Sequence, residues 1–184
     1  MKFKYIILLI LFFNQSAKGA ENLFLYKGTF SRSIKIEELS KFKLTKKPSN
    51  KLKNLIKITG QKEKNLHQIL STEIEFPIKT SSKILKSKIG EVFLSRLSKI
   101  IYPNKISNLK LSTKAIRSGL LIGSFNNNQK INLIDFLKAY PNKNIAFDLN
   151  ALSKALKKVD SLKELIEFYT DSPFKKLKDG RSST

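Results

Sequence analysis

Between Asn22 and Ile36 (NLFLYKGTFSRSIKI), apolar residues fall at every second position, as Leu23 and Leu25 and again as Ile34 and Ile36, with Gly28 between the two runs. Period two around a glycine turn predicts a short β-hairpin. Beyond it the spacing changes to three and four. EELSKF opens a short helix at Glu37, with two acids in the first turn where the helix dipole favours them. Lys46-Lys47-Pro48-Ser49 reads as a loop. Leu52, Leu55 and Ile56 share a helical face that Gly60 ends, and Leu66, Ile69 and Leu70 mark a further helix. EIEFPI is extended, because Pro77 pushes Phe76 out of helical geometry. Thr80 or Ser81 is expected to cap a helix carrying Ile84 and Leu85. Ser87 is expected to cap another, whose buried stripe is Ile89, Phe93, Leu97, Ile100 and Ile101 and which stops near Pro103.

Ser112 or Thr113 opens TKAIRSGLLIGSF, where Gly119 and Gly123 fall on one side. In a membrane span that spacing would suggest helix dimerisation, but Arg117 and the short length exclude a span, so close backbone packing is expected. FNNNQK is a polar loop. The densest punctuation is INLIDFLKAYPNKNIAFDLNAL. Asn132 caps a helix, Asp135 reaches back as a capping-box acid, and Leu133, Phe136, Leu137 and Tyr140 form an apolar stripe ended by Pro141. Ile145 to Phe147 reads as a short extended link. Leu152, Ala155, Leu156 and Val159, then Leu162, Leu165, Ile166 and Tyr169, repeat the helical spacing. Consecutive amphipathic helices need one another to cover their apolar faces. The expected fold is mainly α, a compact multi-helix domain with a short N-terminal β-hairpin. It occupies residues 20–170 and precedes a flexible polar tail, 171–184. No fixed internal period indicates a solenoid.

The first 19 residues change the picture of compartment. Lys2 and Lys4 precede an apolar run from Tyr5 to Phe13, and Asn14-Gln15-Ser16 leads into Ala17-Lys18-Gly19. A positive start, an apolar core and small residues at the two positions that a signal peptidase inspects predict a signal peptide cut after Gly19. Nine apolar residues fall short of the roughly 20 that a helical membrane span needs. The domain is therefore expected to fold after export, in a periplasm or a thylakoid lumen.

The chain carries 36 Lys and Arg against 14 Asp and Glu, a formal net charge of +22, over 184 residues that are 41% hydrophobic. The hydrophobic share is that of a globular domain. Its basic residues are almost all lysine, with arginine only at Arg32, Arg96, Arg117 and Arg181. Arginine supplies the planar fork that reads guanine and phosphate, so this balance disfavours nucleic acid. A solvated surface is the first reading of the charge; a protein partner or an anionic membrane surface is the alternative. Lys79, Lys83, Lys86 and Lys88 form the lysine-rich helical stretch through which a membrane would be met.

Little in the chain points to a reaction. Cysteine is absent, which removes thiolate nucleophiles and sulfur ligands. His67, in KNLHQIL, is the one histidine, too few for a zinc site of ordinary type. Its apolar neighbours place it at a helix edge, where an inert role is the first reading and a general base the second. Glu73 and Glu75 could pair as carboxylates, but the lysines around them favour solvated charge. Asp148 and Asp160 precede helical residues, so capping is expected of both. There is no nucleophile elbow, phosphate loop or dinucleotide fingerprint. No catalytic, cofactor-binding or metal-binding set is assigned.

Three stretches, LFLYKGTFSRSIKIEEL, KIGEVFLSRLSKII and INLIDFLKAYP followed by NIAFDLNAL, resemble in order and spacing the N-terminal helical domain of the cyanobacterial alpha/beta-hydrolase-like proteins of unknown function. The resemblance spans about Leu23 to Val159. It implies a helical domain that a hydrolase region often follows, whereas this sequence ends at Thr184 without one. The elbow serine and its histidine partner have no counterpart here, so no catalytic residue carries over. The expectation is an exported, non-catalytic protein-binding or accessory domain. A divergent hydrolase and a peripheral binder of anionic membranes are the alternatives.

Overall fold

A computed structural model describes residues 19–60, 62–106 and 108–156. The N-terminal signal up to residue 18, Val159, Asp160, the stripe Leu162 to Tyr169 and the tail 171–184 lie outside them.

The hairpin forms as the period-two pattern requires. Strands β1 (Asn22–Lys27) and β2 (Phe30–Lys35) pair antiparallel from Asn22↔Lys35 to Lys27↔Phe30. Gly28 makes the reversal at φ 62°, a conformation open to glycine without a Cβ penalty. Among the described residues eight helices follow: α1 (Ile36–Thr45), α2 (Asn50–Thr59), α3 (Glu63–Ser71), α4 (Ile78–Leu85), α5 (Lys88–Leu97), α6 (Leu109–Phe125), α7 (Leu133–Ala139) and α8 (Leu149–Leu156). Four further strands lie between them: β3 (Ile74–Glu75), β4 (Ile101–Pro103), β5 (Lys130–Ile131) and β6 (Asn144–Asp148).

The main sheet runs β2-β1-β6-β4, and β3 and β5 form a separate two-stranded ribbon. Strand β6 is parallel to β1, from Asn22↔Asn144 to Tyr26↔Asp148, and antiparallel to β4. The domain is thus mixed α/β, which corrects the mainly helical expectation. The stretch read as a link, Ile145 to Phe147, lies in an inner strand, and the helix stop at Pro103 belongs to an edge strand. Each is too short to carry a period. Their pairing, Asn22 with Asn144 and Ile101 with Phe147, is made by tertiary contact between segments far apart in sequence rather than by local propensity.

Because residues opposite one another share a sheet face, Leu23, Leu25, Ile34, Ile101, Ile145 and Phe147 point the same way. All six join the cluster that includes Phe42, Leu70, Leu94, Ile116, Leu137 and Tyr140 from the helices. The helical layer packs on this face. Its closest approaches need small residues. A Cβ on Gly119 would stand 3.0 Å from the Phe136 ring, and one on Gly123 3.1 Å from the Asp135 carbonyl oxygen, so the expected close packing is that of α6 on α7. Helix α7 starts at the expected capping box, with Asp135 N–H donating to Asn132 Oδ1 at 3.1 Å and Asn132 N–H to Asp135 Oδ2 at 3.4 Å.

Two helix starts differ from expectation. Helix α4 begins at Ile78 straight after Pro77, which pre-sets the backbone, and Ser81 is buried inside it rather than capping it. Helix α6 begins at Leu109, where Asn108 Oδ1 accepts from Leu111 N–H at 3.0 Å. Ser87 caps α5 as expected.

Of the stripe expected on α5 and after it, Phe93, Leu97 and Ile100 pack against the core and Ile101 lies in it, whereas Ile89 does not. Gly90 and Leu94 are turned inward, while Ile89 is 77% exposed and Val92 53%. Gly90 accounts for the exposure of Ile89. A Cβ there would lie 2.0 Å from the Ile84 carbonyl oxygen and 2.7 Å from Leu85 Cα, so the first turn of α5 rests on the backbone of α4. Bringing that bare face inward swings Ile89 out.

Candidate functional site

His67 projects from α3 towards α1. Its Nε2 lies 3.0 Å from the Lys43 carbonyl oxygen and 3.4 Å from Ser71 Oγ, and its ring stands edge-on to Phe42 with centroids 5.8 Å apart. A carbonyl oxygen only accepts, so Nε2 carries the proton and donates, leaving the lone pair on Nδ1. The Ser71 hydroxyl therefore meets an N–H rather than a base, and the pair is not arranged as a nucleophile and its activator. The half-buried imidazole ties the end of α1 to α3.

The carboxylates are placed by other tasks. Asp148 Oδ1 accepts from Asn150 N–H at 2.8 Å and Ala151 N–H at 2.9 Å, the capping role expected of it. Glu73 accepts from Asn132 Nδ2 at 3.5 Å and lies 3.9 Å from Lys43 Nζ, while Glu75 sits in β3 opposite Lys130. The structure does not join these acids to His67 in a single constellation. One polar group had no signal in the sequence. Tyr26 Oη donates to Asn104 Oδ1 at 2.7 Å beside Tyr102, whose phenol is raised above its ordinary value by burial, then by Asp148 and Tyr26. These residues gather only because β4 and β6 complete the sheet.

The most distinctive surface is the corner between α4 and α5. Lys79, Lys83 and Lys86 are all exposed at spacings of four and three, opposite the buried Ser81 and Leu85. On α5 the exposed arc is centred on Val92, with Ile89, Lys88 and Arg96 around it, and exposed Lys99 follows in the turn beyond the end of the helix. Helix α5 rests on the α4 backbone at Gly90, and exposed Lys86 and Lys88 flank Ser87 at the turn that joins the two helices. Arg117 of α6 fastens the corner, donating from Nη2 to the Leu85 carbonyl oxygen at 3.1 Å and lying 3.9 Å from Glu91. A guanidinium at a helix C-terminus meets the negative end of its dipole. From Phe76 to Ile134 the sequence holds eleven basic residues and one acid, Glu91.

A family model described as "Alpha/beta hydrolase of unknown function (DUF1400)" matches residues 19–148. The chain belongs to this family. The matched stretch runs from the residue that packs against Lys138 to the last residue of β6, and so takes in the whole main sheet and helices α1 to α7. No curated protein and no solved structure matches the chain.

Proposed function

We propose that this member of the hydrolase-like family is an exported, non-catalytic binding module, equivalent to the N-terminal helical domain of its relatives and accessory to them. The observation that carries the reading is the α4–α5 corner, where exposed isoleucine and valine stand among lysines outside the core. Neighbouring exposed apolar side chains rimmed by charged ones mark a surface that a partner covers. His67 supports the same reading, since its Nε2 proton is committed to a backbone carbonyl.

Export rests on the N-terminal signal. A cut after Gly19 removes a residue whose Cα packs against the Lys138 carbonyl and leaves Ala20, 8% exposed, as the first residue. The sheet keeps its anchoring, because Glu21 and Asn22 N–H both donate to the Lys143 carbonyl oxygen, at 2.9 and 3.1 Å. N-terminal sequencing of chain recovered from the exported fraction should begin at Ala20.

The test of the non-catalytic reading is turnover of p-nitrophenyl esters of short and long acyl chains by the purified protein. The expected rate is that of buffer. Turnover that disappears in His67→Ala would overturn the reading in favour of a divergent hydrolase.

A further inference from the structure

We propose that the α4–α5 corner docks on an anionic phospholipid bilayer, with Ile89 and Val92 entering the headgroup region and Lys83, Lys86, Lys88, Arg96 and Lys99 meeting lipid phosphates around them. The inference rests on the binding-module reading and names its partner. Charge complementarity selects the occupant. The corner lies in a 59-residue stretch of the chain with a single carboxylate, and that carboxylate, Glu91, stands at the edge of the exposed arc beside Arg117. Long lysine stems lie along an apolar surface while their ammonium groups reach phosphate, which suits a ring of lysines around two aliphatic side chains. An acidic protein surface would need fixed, directional pairing, for which lysine is less suited than arginine. Nucleic acid has no apolar layer to receive Ile89, which is 77% exposed.

Helix geometry supports the arrangement. With successive residues turned by ~100°, Lys88, Val92, Arg96 and Ile89 fall within an arc of roughly 100°. Gly90 and Leu94 face the opposite way and hold the helix to α4 and the core. The surface is therefore rigid, and binding needs no unfolding of the helix.

The experiment is co-sedimentation of the full chain with large vesicles of phosphatidylcholine alone and of phosphatidylcholine with 30 mol% phosphatidylglycerol. The apolar run Tyr5 to Phe13 contributes equally to both, so the readout is the ratio of the two partition coefficients. Each of Lys83→Gln, Lys86→Gln and Lys88→Gln should lower that ratio about fivefold. Glu91→Gln should raise it several-fold with the urea-unfolding midpoint unchanged, which separates the gain from misfolding. Ile89→Ser with Val92→Ser should lower binding to the anionic vesicles about tenfold. Lys51→Gln, Lys53→Gln and Lys57→Gln on α2, exposed lysines remote in sequence, should change the ratio less than twofold. An equal effect of the α2 lysines, an unchanged ratio in the corner variants, or tighter corner-dependent capture by duplex DNA or by an acidic protein would each overturn the proposal. Such a failure leaves the binding-module reading in place, whereas ester turnover lost in His67→Ala would remove that reading whatever the vesicles show.

Discussion

Replacing Tyr140 with phenylalanine should make the protein more stable, and increasingly so as the solution becomes alkaline. Tyr140 is 0% exposed, and its hydroxyl has no hydrogen-bond partner among the described residues. Its ring packs edge-on against Phe136, with centroids 5.7 Å apart, a contact that phenylalanine keeps. A buried hydroxyl without a partner costs about 1–3 kcal/mol of desolvation, part of which is offset by the void that a missing oxygen leaves. A net gain of about 1 kcal/mol follows, or about 2–4 °C in Tm for a chain of this size. Burial also raises the Tyr140 phenol far above its ordinary value. Below pH ~10 both folded and unfolded states hold the proton, and ionisation makes no difference. Above that, the unfolded chain releases it while the folded chain retains it, so wild-type stability falls by about 1.4 kcal/mol per pH unit until the folded phenol itself ionises. The variant lacks this loss, and its advantage should widen to roughly 2 kcal/mol near pH 11. Lysine titration is common to both proteins and cancels in the difference. Urea unfolding of both at pH 8, 9.5 and 11 is the assay. A variant less stable at pH 8, or an advantage that stays flat with pH, would refute the reasoning.

Three further outcomes check the packing. Leu94→Ala should cost about 3 kcal/mol in urea unfolding and Ile89→Ala under ~0.5 kcal/mol, the reverse order marking the opposite rotation of α5. Gly90→Ala should destabilise by about 2 kcal/mol or more despite a better helix propensity, because the added methyl meets the Ile84 and Leu85 backbone; a stabilised variant in thermal melts would contradict that contact. Asn132→Ala should lose about 1 kcal/mol, and Asp135→Ala on top of it less than its effect alone, as a double-mutant cycle of the capping box requires.

Where structure is made by neighbours in sequence, the chain states it openly. Ser87, Asn132 with Asp135, Asp148, Gly60 and Pro141 stand where the helices α5, α7, α8, α2 and α7 begin or end. The hairpin is as plain, since strand period and glycine turn agree. Strands β4 and β6 were not legible, because three to five residues hold no countable period and their partners lie far away along the chain. Ile89 misled for a related reason. Its spacing to Phe93 and Leu97 is that of a buried stripe, but which side turns inward was decided by the backbone of α4 beneath Gly90. The candidate site shared this fate. The lysines were visible as a charge run, whereas Ile89 was hidden among residues expected to be core and Val92 carried no expectation.

In the order β2-β1-β6-β4, the strand that joins the two halves of the sheet is, among the described residues, the last of the strands along the chain. Ribosome and translocation pore alike deliver a polypeptide from its amino end, so β1 and β4 emerge without the neighbour they share. Closure must wait for residues 144–148 and spans a loop of over a hundred residues, a slow kind of contact to form. Until then the hairpin has an open edge, and a product truncated before Asn144 keeps that edge for good, ready to pair with another chain.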